Sequence, residues 1–89
     1  MQLANVGPAT AGDLLLLGIR SLSELRGRDA FELYDALCRK TRERHDPCVI
    51  DVFLALVDHA NGAPERPWWT YTAERKRLTA RRAAGKPRR

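Results

Sequence analysis

The segment spanning residues 46–62 constrains the fold most, because it reads as a helix that is apolar on two sides. Asp46 suits the N-cap and Pro47 suits the first helical position. Apolar side chains then recur at helical spacing, and Ile50 and Leu54 add a second apolar face. An Asn-Gly pair predicts the end of the helix. A helix of this kind belongs in the middle of a domain.

Four further segments have helical spacing and end signals. They cover about residues 8–17, 21–26, 30–41 and 73–83. In the first, Leu14 and Leu15 fall on the predicted inward face, and Thr72 is the predicted cap of the last. No segment alternates apolar and polar residues as a half-buried strand does. We therefore predict an all-α fold, a compact orthogonal bundle of four to five short helices.

The positive charge is concentrated at the C-terminal end. The chain has 16 Lys and Arg against 11 Asp and Glu. Eight of the bases lie within residues 75–89 and no acid follows Glu74, so residues 1–74 carry a net charge of −3 and the remainder +8. We divide the chain into a helical domain, residues 1–74, and a basic helix end with a flexible arm, residues 75–89. Such an arm either binds polyanions or only keeps the protein soluble.

A tight glycine turn is predicted immediately before the first helix. A turn that opens into a helix points its backbone N–H groups outward at the positive end of the helix dipole, where they bind an anion such as a phosphate. The alternative is a turn that starts a helix and contacts nothing. The N–H groups expected to hold a DNA phosphate are those of Asn5, Val6, Gly7, Ala9 and Thr10.

The same region resembles the helix-hairpin-helix DNA-binding motif. The resemblance is carried by Leu3-x-Asn5-Val6-Gly7-Pro8-x-x-Ala11, Leu17-Gly18-Ile19 and Ser21-Leu22-x-Glu24-Leu25. Asn5 stands where the motif usually has its first glycine, and Asn tolerates the positive φ that this position needs. The motif also has a helix before its hairpin, whereas four residues precede Asn5. That helix is missing, belongs to another segment, or comes from another chain in a homodimer.

Later segments are similar to the small bacterial pathogenicity locus family, often described as mitomycin-resistance-related helix-hairpin-helix proteins. These segments are Arg44-His45-Asp46-Pro47-Cys48-Val49-Ile50-Asp51-Val52-Phe53, Asn61-Gly62 and Arg66-Pro67-Trp68-Trp69. The resemblance covers the first three quarters of the chain and implies a DNA-binding type of fold. No apolar run approaches the roughly 20 residues of a membrane span, and the N-terminus lacks the basic flank of a signal peptide. We therefore expect a cytoplasmic protein without membrane contact.

Cationic and aromatic side chains supply further candidate contacts. Arg39, Lys40 and Arg42 gather at the end of the third predicted helix, where cations also simply complement the helix dipole. Three aromatic residues, Trp68, Trp69 and Tyr71, either stack on bases or seal the core, and the core interpretation is favoured with at most one ring exposed. The candidate contacts of the C-terminal arm are Arg75, Lys76, Arg77, Arg81 and Arg82.

No catalytic or metal-binding pattern is present in the sequence. It has no Walker loop, no Gly-x-Ser-x-Gly and no paired His ligands, so we expect no enzymatic activity and no cofactor. Asp51 and Asp58 are interpreted as the solvent face of their helix rather than as a nuclease metal site. The residues considered and set aside as zinc ligands, for want of paired spacing, are Cys38, His45, Cys48 and His59. A disulfide between the two cysteines is disfavoured in a reducing cytoplasm.

The predicted function is sequence-independent binding of double- or single-stranded DNA, because phosphate contacts carry no base information. The turn and the basic arm supply the contacts. The alternative is a small helical protein–protein interaction adaptor with no nucleic-acid role. The net negative charge of residues 1–74 favours that alternative, since a DNA-binding surface on an acidic body has to be local.

Overall fold

Four α-helices and two short 3₁₀ turns make up the part of the fold that the structure describes. The computed structural model describes residues 8–85, with side chains for residues 10–82. The elements are α1 (Pro8–Leu16), a 3₁₀ turn (Leu22–Leu25), α2 (Ala30–Thr41), α3 (Cys48–Ala60), a second 3₁₀ turn (Trp68–Tyr71) and α4 (Thr72–Gly85). No strand occurs within the described residues, so the predicted all-α class is confirmed. In this part of the chain, no helix has both the length and the apolar character needed to cross a membrane.

The central helix is α3, as its two apolar sides predict. It packs against α2, α4 and both 3₁₀ turns, and Phe53 and Leu56 are fully buried on it. The helix begins at Cys48, one residue after the predicted Pro47. Asp46 Oδ1 accepts a 2.9 Å hydrogen bond from the N–H of Cys48 at this start. The same hydrogen bond lowers the pKa of the Asp46 carboxyl. The helix ends directly before the predicted Asn-Gly pair.

The first 3₁₀ turn fixes the C-terminal end of α3. Arg26 Nε donates a 3.2 Å hydrogen bond to the carbonyl oxygen of Ala60, and the N–H of Gly27 donates to Asn61 Oδ1 at 3.0 Å. Leu25, between these contacts and the core, is fully buried. The last carbonyl groups of a helix lack hydrogen-bond donors within the helix. Arg26 therefore provides a donor for one of these carbonyl groups from outside α3.

The predicted boundaries of α2 are confirmed. Asp29 Oδ1 caps the helix by accepting a 2.8 Å hydrogen bond from the N–H of Phe31. The helix ends at the predicted residue, after which Arg42 takes the left-handed conformation with φ 57°. Leu33 and Leu37 lie in the core with no exposed surface. The spacing of these two residues explains why α2 presents one apolar stripe to the body.

A left-handed glycine ends α1. Gly18 has φ 79°, its N–H donates to the carbonyl oxygen of Leu15, and the N–H of Ile19 donates to that of Leu14, both at 2.9 Å. This pair of hydrogen bonds is a Schellman motif, which glycine favours because the left-handed conformation crowds a Cβ atom. The turn directs Ile19 into the core, where it is buried.

The predicted inward face of α1 is wrong at one residue. Leu14 is buried, whereas Leu15 is 61% exposed and Leu16 is 51% exposed. Among the described elements, α1 packs against α2 only. Leu15 lies about 100° further around the helix than Leu14, and this narrow contact does not reach it.

Two glycines, one inside α1 and one just after it, test whether a left-handed residue ends the helix. We expect Gly18→Ala to lower the free energy of unfolding by about 1 kcal/mol, because it places a Cβ in the left-handed conformation. Gly12→Ala should raise it by about 0.5–1 kcal/mol, because Gly12 lies inside the helix and a Cβ atom at this position would meet open space. Urea unfolding measures both variants. Changes of the same sign would contradict the Schellman ending.

Candidate nucleic-acid interface

The two sides of α4 have different surroundings. Its inner side faces the body of the domain through partly buried residues spaced three apart, which are Thr72, Arg75 and Leu78. Its outer side is exposed and carries the cations Lys76 and Arg77, and a third exposed cation, Arg81, lies at the rim of the groove that α4 forms with α2 and α3. The boundary expected between residues 74 and 75 falls inside this helix. One continuous element therefore serves both the fold and the candidate interface.

A buried carboxylate, Asp51 on α3, holds the inner side of α4. It is 0% exposed, its Oδ1 accepts a hydrogen bond from Arg75 Nε, and its Oδ2 accepts one from Thr72 Oγ1, each at 2.8 Å. Burying a carboxylate is unfavourable unless it is paired and hydrogen-bonded, and here both oxygens are bonded. The predicted solvent exposure of Asp51 is therefore wrong, because α4 covers that side of α3. Thr72, the predicted cap, is the first residue of α4 and donates its hydroxyl to Asp51 instead.

Asp58, two turns further along α3, holds the second 3₁₀ turn. Its Oδ2 accepts a hydrogen bond from the Tyr71 hydroxyl at 2.8 Å and one from Arg66 Nη2 at 3.3 Å. The Arg66 guanidinium also lies 5.0 Å from the centre of the Tyr71 ring. Burial raises the pKa of the Tyr71 hydroxyl, and its hydrogen bond to Asp58 acts in the same direction. Asp58 keeps part of its predicted exposure but serves as a second attachment point.

The five cations predicted on α4 have separate environments. Arg75 is committed to Asp51, with 16% of its side chain exposed. The Arg82 guanidinium lies 4.4 Å from the centre of the Phe31 ring, in cation–π contact with α2. Within the described residues, no carboxylate lies at ion-pair distance from the remaining three, which are Lys76, Arg77 and Arg81.

The second predicted group of cations, at the end of α2, is mixed in charge. Arg39, Lys40 and Arg42 are all exposed. Asp35 and Glu43 line the same shallow cleft as three arginines, which are Arg39, Arg42 and Arg44. These carboxylates reduce the attraction of the cleft for an anion, so α4 offers the stronger cationic surface.

The predicted phosphate-binding turn lies at the N-terminal limit of the structure. Asn5, Val6 and Gly7 fall outside the described residues. Ala9 and Thr10 lie in the first turn of α1, where backbone N–H groups have no acceptor within the helix. The phosphate contact of this turn stays a prediction.

One aromatic ring of the second 3₁₀ turn reaches the solvent. Tyr71 is buried and Trp68 is partly buried, whereas Trp69 is 62% exposed. This arrangement confirms the expectation of a sealed core with at most one exposed ring. The two tryptophan rings meet edge to face, with centroids 5.8 Å apart and planes at 84°. Sequence spacing carries no signal for which ring turns outward, because that depends on how the turn packs against α3.

The cysteines and His45 contribute to packing and to loop structure. Within the described residues, no three potential metal ligands come together, and Cys38 and Cys48 are free thiols. Burial raises the pKa of the Cys48 thiol. His45 Nε2 lies 2.8 Å from Thr41 Oγ1, and the His45 carbonyl oxygen accepts a hydrogen bond from the Tyr34 hydroxyl. His45 thus closes the loop between α2 and α3, as its position before Asp46 predicts.

Fold and site together define a small all-α domain whose last helix is fixed on one side and cationic on the other. The family described as "Pathogenicity locus" matches residues 1–77, and the chain belongs to that family. It is 46% identical over 78 residues to "Mitomycin resistance protein McrB" of Streptomyces lavendulae, which covers 88% of this chain and 74% of that protein. No solved structure matches the chain.

The attachment of α4 is tested by two arginines two residues apart. We expect Arg75→Ala to lower the free energy of unfolding by about 3–5 kcal/mol, because it leaves the Asp51 carboxylate buried without its cation. Arg77→Ala removes the same side chain from the exposed side and should change stability by less than about 0.5 kcal/mol. Urea unfolding followed by circular dichroism measures both. Equal midpoints would show that the ion pair does not hold the helix.

Proposed function

We propose that this protein binds nucleic acid through its phosphate backbone, without reading base sequence. One observation carries the proposal: α4 turns Lys76, Arg77 and Arg81 to the solvent, with no carboxylate partner among the described residues. Exposed cations on a fixed helix suit a polyanion, because each phosphate contact releases counterions from the nucleic acid.

The distribution of charge limits where the ligand approaches. Residues 1–74 carry a net charge of −3, whereas residues 75–89 carry +8. A polyanion is therefore attracted to the end of the chain that includes α4 and repelled by much of the remaining surface. Binding of this kind is local and weakens strongly as salt is added.

The N-terminal turn is the second part of the proposal. Under it, the backbone N–H groups of Asn5, Val6 and Gly7, with those of Ala9 and Thr10, hold a further phosphate. A homodimer would double these contacts. The Streptomyces relative is named for resistance to mitomycin, so cells exposed to mitomycin are a suitable setting in which to study this chain.

Fluorescence anisotropy with labelled DNA tests the contribution of α4. We expect Arg77→Ala and Arg81→Ala each to weaken binding and to reduce the slope of log affinity against log salt by about 1, the change expected for one lost phosphate contact. Arg20→Ala is the matched control, because it removes the same charge from an exposed site between α1 and the first 3₁₀ turn. Its effect on the slope should be small.

Two outcomes would contradict the proposal. If Arg20→Ala weakens binding as much as Arg77→Ala, net charge alone attracts DNA and α4 is not the interface. If the unaltered protein binds no DNA at low salt, the nucleic-acid function fails. Truncation after Glu74 is unsuitable for this test, because it would also remove the Arg75 partner of Asp51.

A protein–protein adaptor is the second candidate function, and an open groove favours it. The groove lies where α2, α3 and α4 meet, and its apolar lining includes Phe31, Leu54, Val57 and Leu78. Grooves of this kind accept apolar side chains of a partner. The adaptor function becomes the better account if no nucleic acid binds at low salt.

A further inference from the structure

We infer that Trp69 is a stacking platform for an unpaired base, which makes single-stranded nucleic acid the preferred ligand of the α4 surface. The inference rests on the proposed function and specifies its ligand. Bases stack on exposed aromatic rings in single-strand binders, whereas the bases of a duplex stack on one another and are not free to do so.

Trp69 is exposed and is held in place by its neighbours. It is 62% exposed, and its ring meets the adjoining indole of Trp68 edge to face. The Tyr71 hydroxyl holds the 3₁₀ turn to α3 by donating to Asp58, and Thr70 Oγ1 closes the turn internally by donating a 2.7 Å hydrogen bond to the carbonyl oxygen of Pro67. An anchored ring loses little conformational freedom when a ligand binds it.

Trp69 lies in the 3₁₀ turn that leads into α4. Thr72 has helical dihedral angles, φ −60° and ψ −44°, so the turn runs directly into the helix. In a 3₁₀ turn the side chains at i and i+3 eclipse, so Trp69 has the phase of Thr72. Lys76 follows Thr72 by four residues and is exposed, so it is the α4 cation nearest to the indole in phase. The indole and Lys76 therefore lie on neighbouring parts of one continuous helical segment.

The spacing along this side suits a single strand. Lys76 lies seven residues after Trp69, and three 3₁₀ steps followed by four α-helical steps correspond to about 12 Å along the axis. Ala73, between them in sequence, is exposed and has a small side chain. A base can then lie on the indole while the phosphate of a neighbouring nucleotide meets Lys76, with Arg77 one residue further along. The ring face supplies contact area that does not depend on base identity.

Anisotropy with an oligothymidine and with a DNA duplex of equal length, at one salt concentration, tests the inference. We expect Trp69→Ala to weaken oligothymidine binding by about tenfold while leaving duplex binding unchanged, and Trp69→Phe to restore most of the loss. Leu15→Ala is the matched control, because it removes a side chain that is equally exposed, at 61%, on α1. It should change neither affinity. Oligothymidine should also quench the tryptophan fluorescence of the unaltered protein.

The two proposals fail in different ways. If Trp69→Ala binds oligothymidine normally while Arg77→Ala weakens both ligands, the nucleic-acid function stands and the stacking inference is overturned. Equal losses on both ligands, or no fluorescence quenching, also overturn the stacking inference. If the unaltered protein binds neither ligand, the proposed function itself fails. Circular dichroism melting of Trp69→Ala verifies that a loss of binding is not a loss of fold.

Discussion

The ion pair between Asp51 and Arg75 is the interaction on which the arrangement of the C-terminal helix depends. Asp51 is fully buried in the first turn of α3, and both of its oxygens accept hydrogen bonds from groups of α4. Because an unpaired carboxylate is strongly unfavourable in the interior, the position of α4 is coupled to the burial of this one side chain. Asp58 adds a second attachment through Tyr71, so two acids on α3 fix the segment that follows it.

This attachment divides the basic residues into two groups with different roles. Arg75 stabilises the fold, and Arg82 packs on an aromatic ring of α2. The cations on the other side of α4 remain in solvent, and the exposed indole of Trp69 lies in the turn that precedes the helix. A stretch that resembles a uniform basic arm in sequence is therefore, in the described part, a helix with an inner side that packs on the fold and an exposed cationic side.

Local signals predicted the helices well, and long-range contacts were harder to predict. The start of α2 follows from Asp29, and that of α3 from Asp46 and Pro47, because caps act within a few residues. The burial of Asp51 was missed because it requires α4, more than 20 residues later in the chain, to cover it. The exposure of Leu15 was missed for the converse reason, since no described element covers that side of α1.

The central claim is that the outer side of α4, with Trp69, is a nucleic-acid surface. Amide NMR of the ¹⁵N-labelled protein during titration with an oligothymidine tests it most directly. We predict that the largest shift changes fall at Trp69, Lys76 and Arg77, with a second group at the N-terminal turn. Shift changes concentrated on the groove lined by Phe31 and Leu54, or no changes at low salt, would contradict the account.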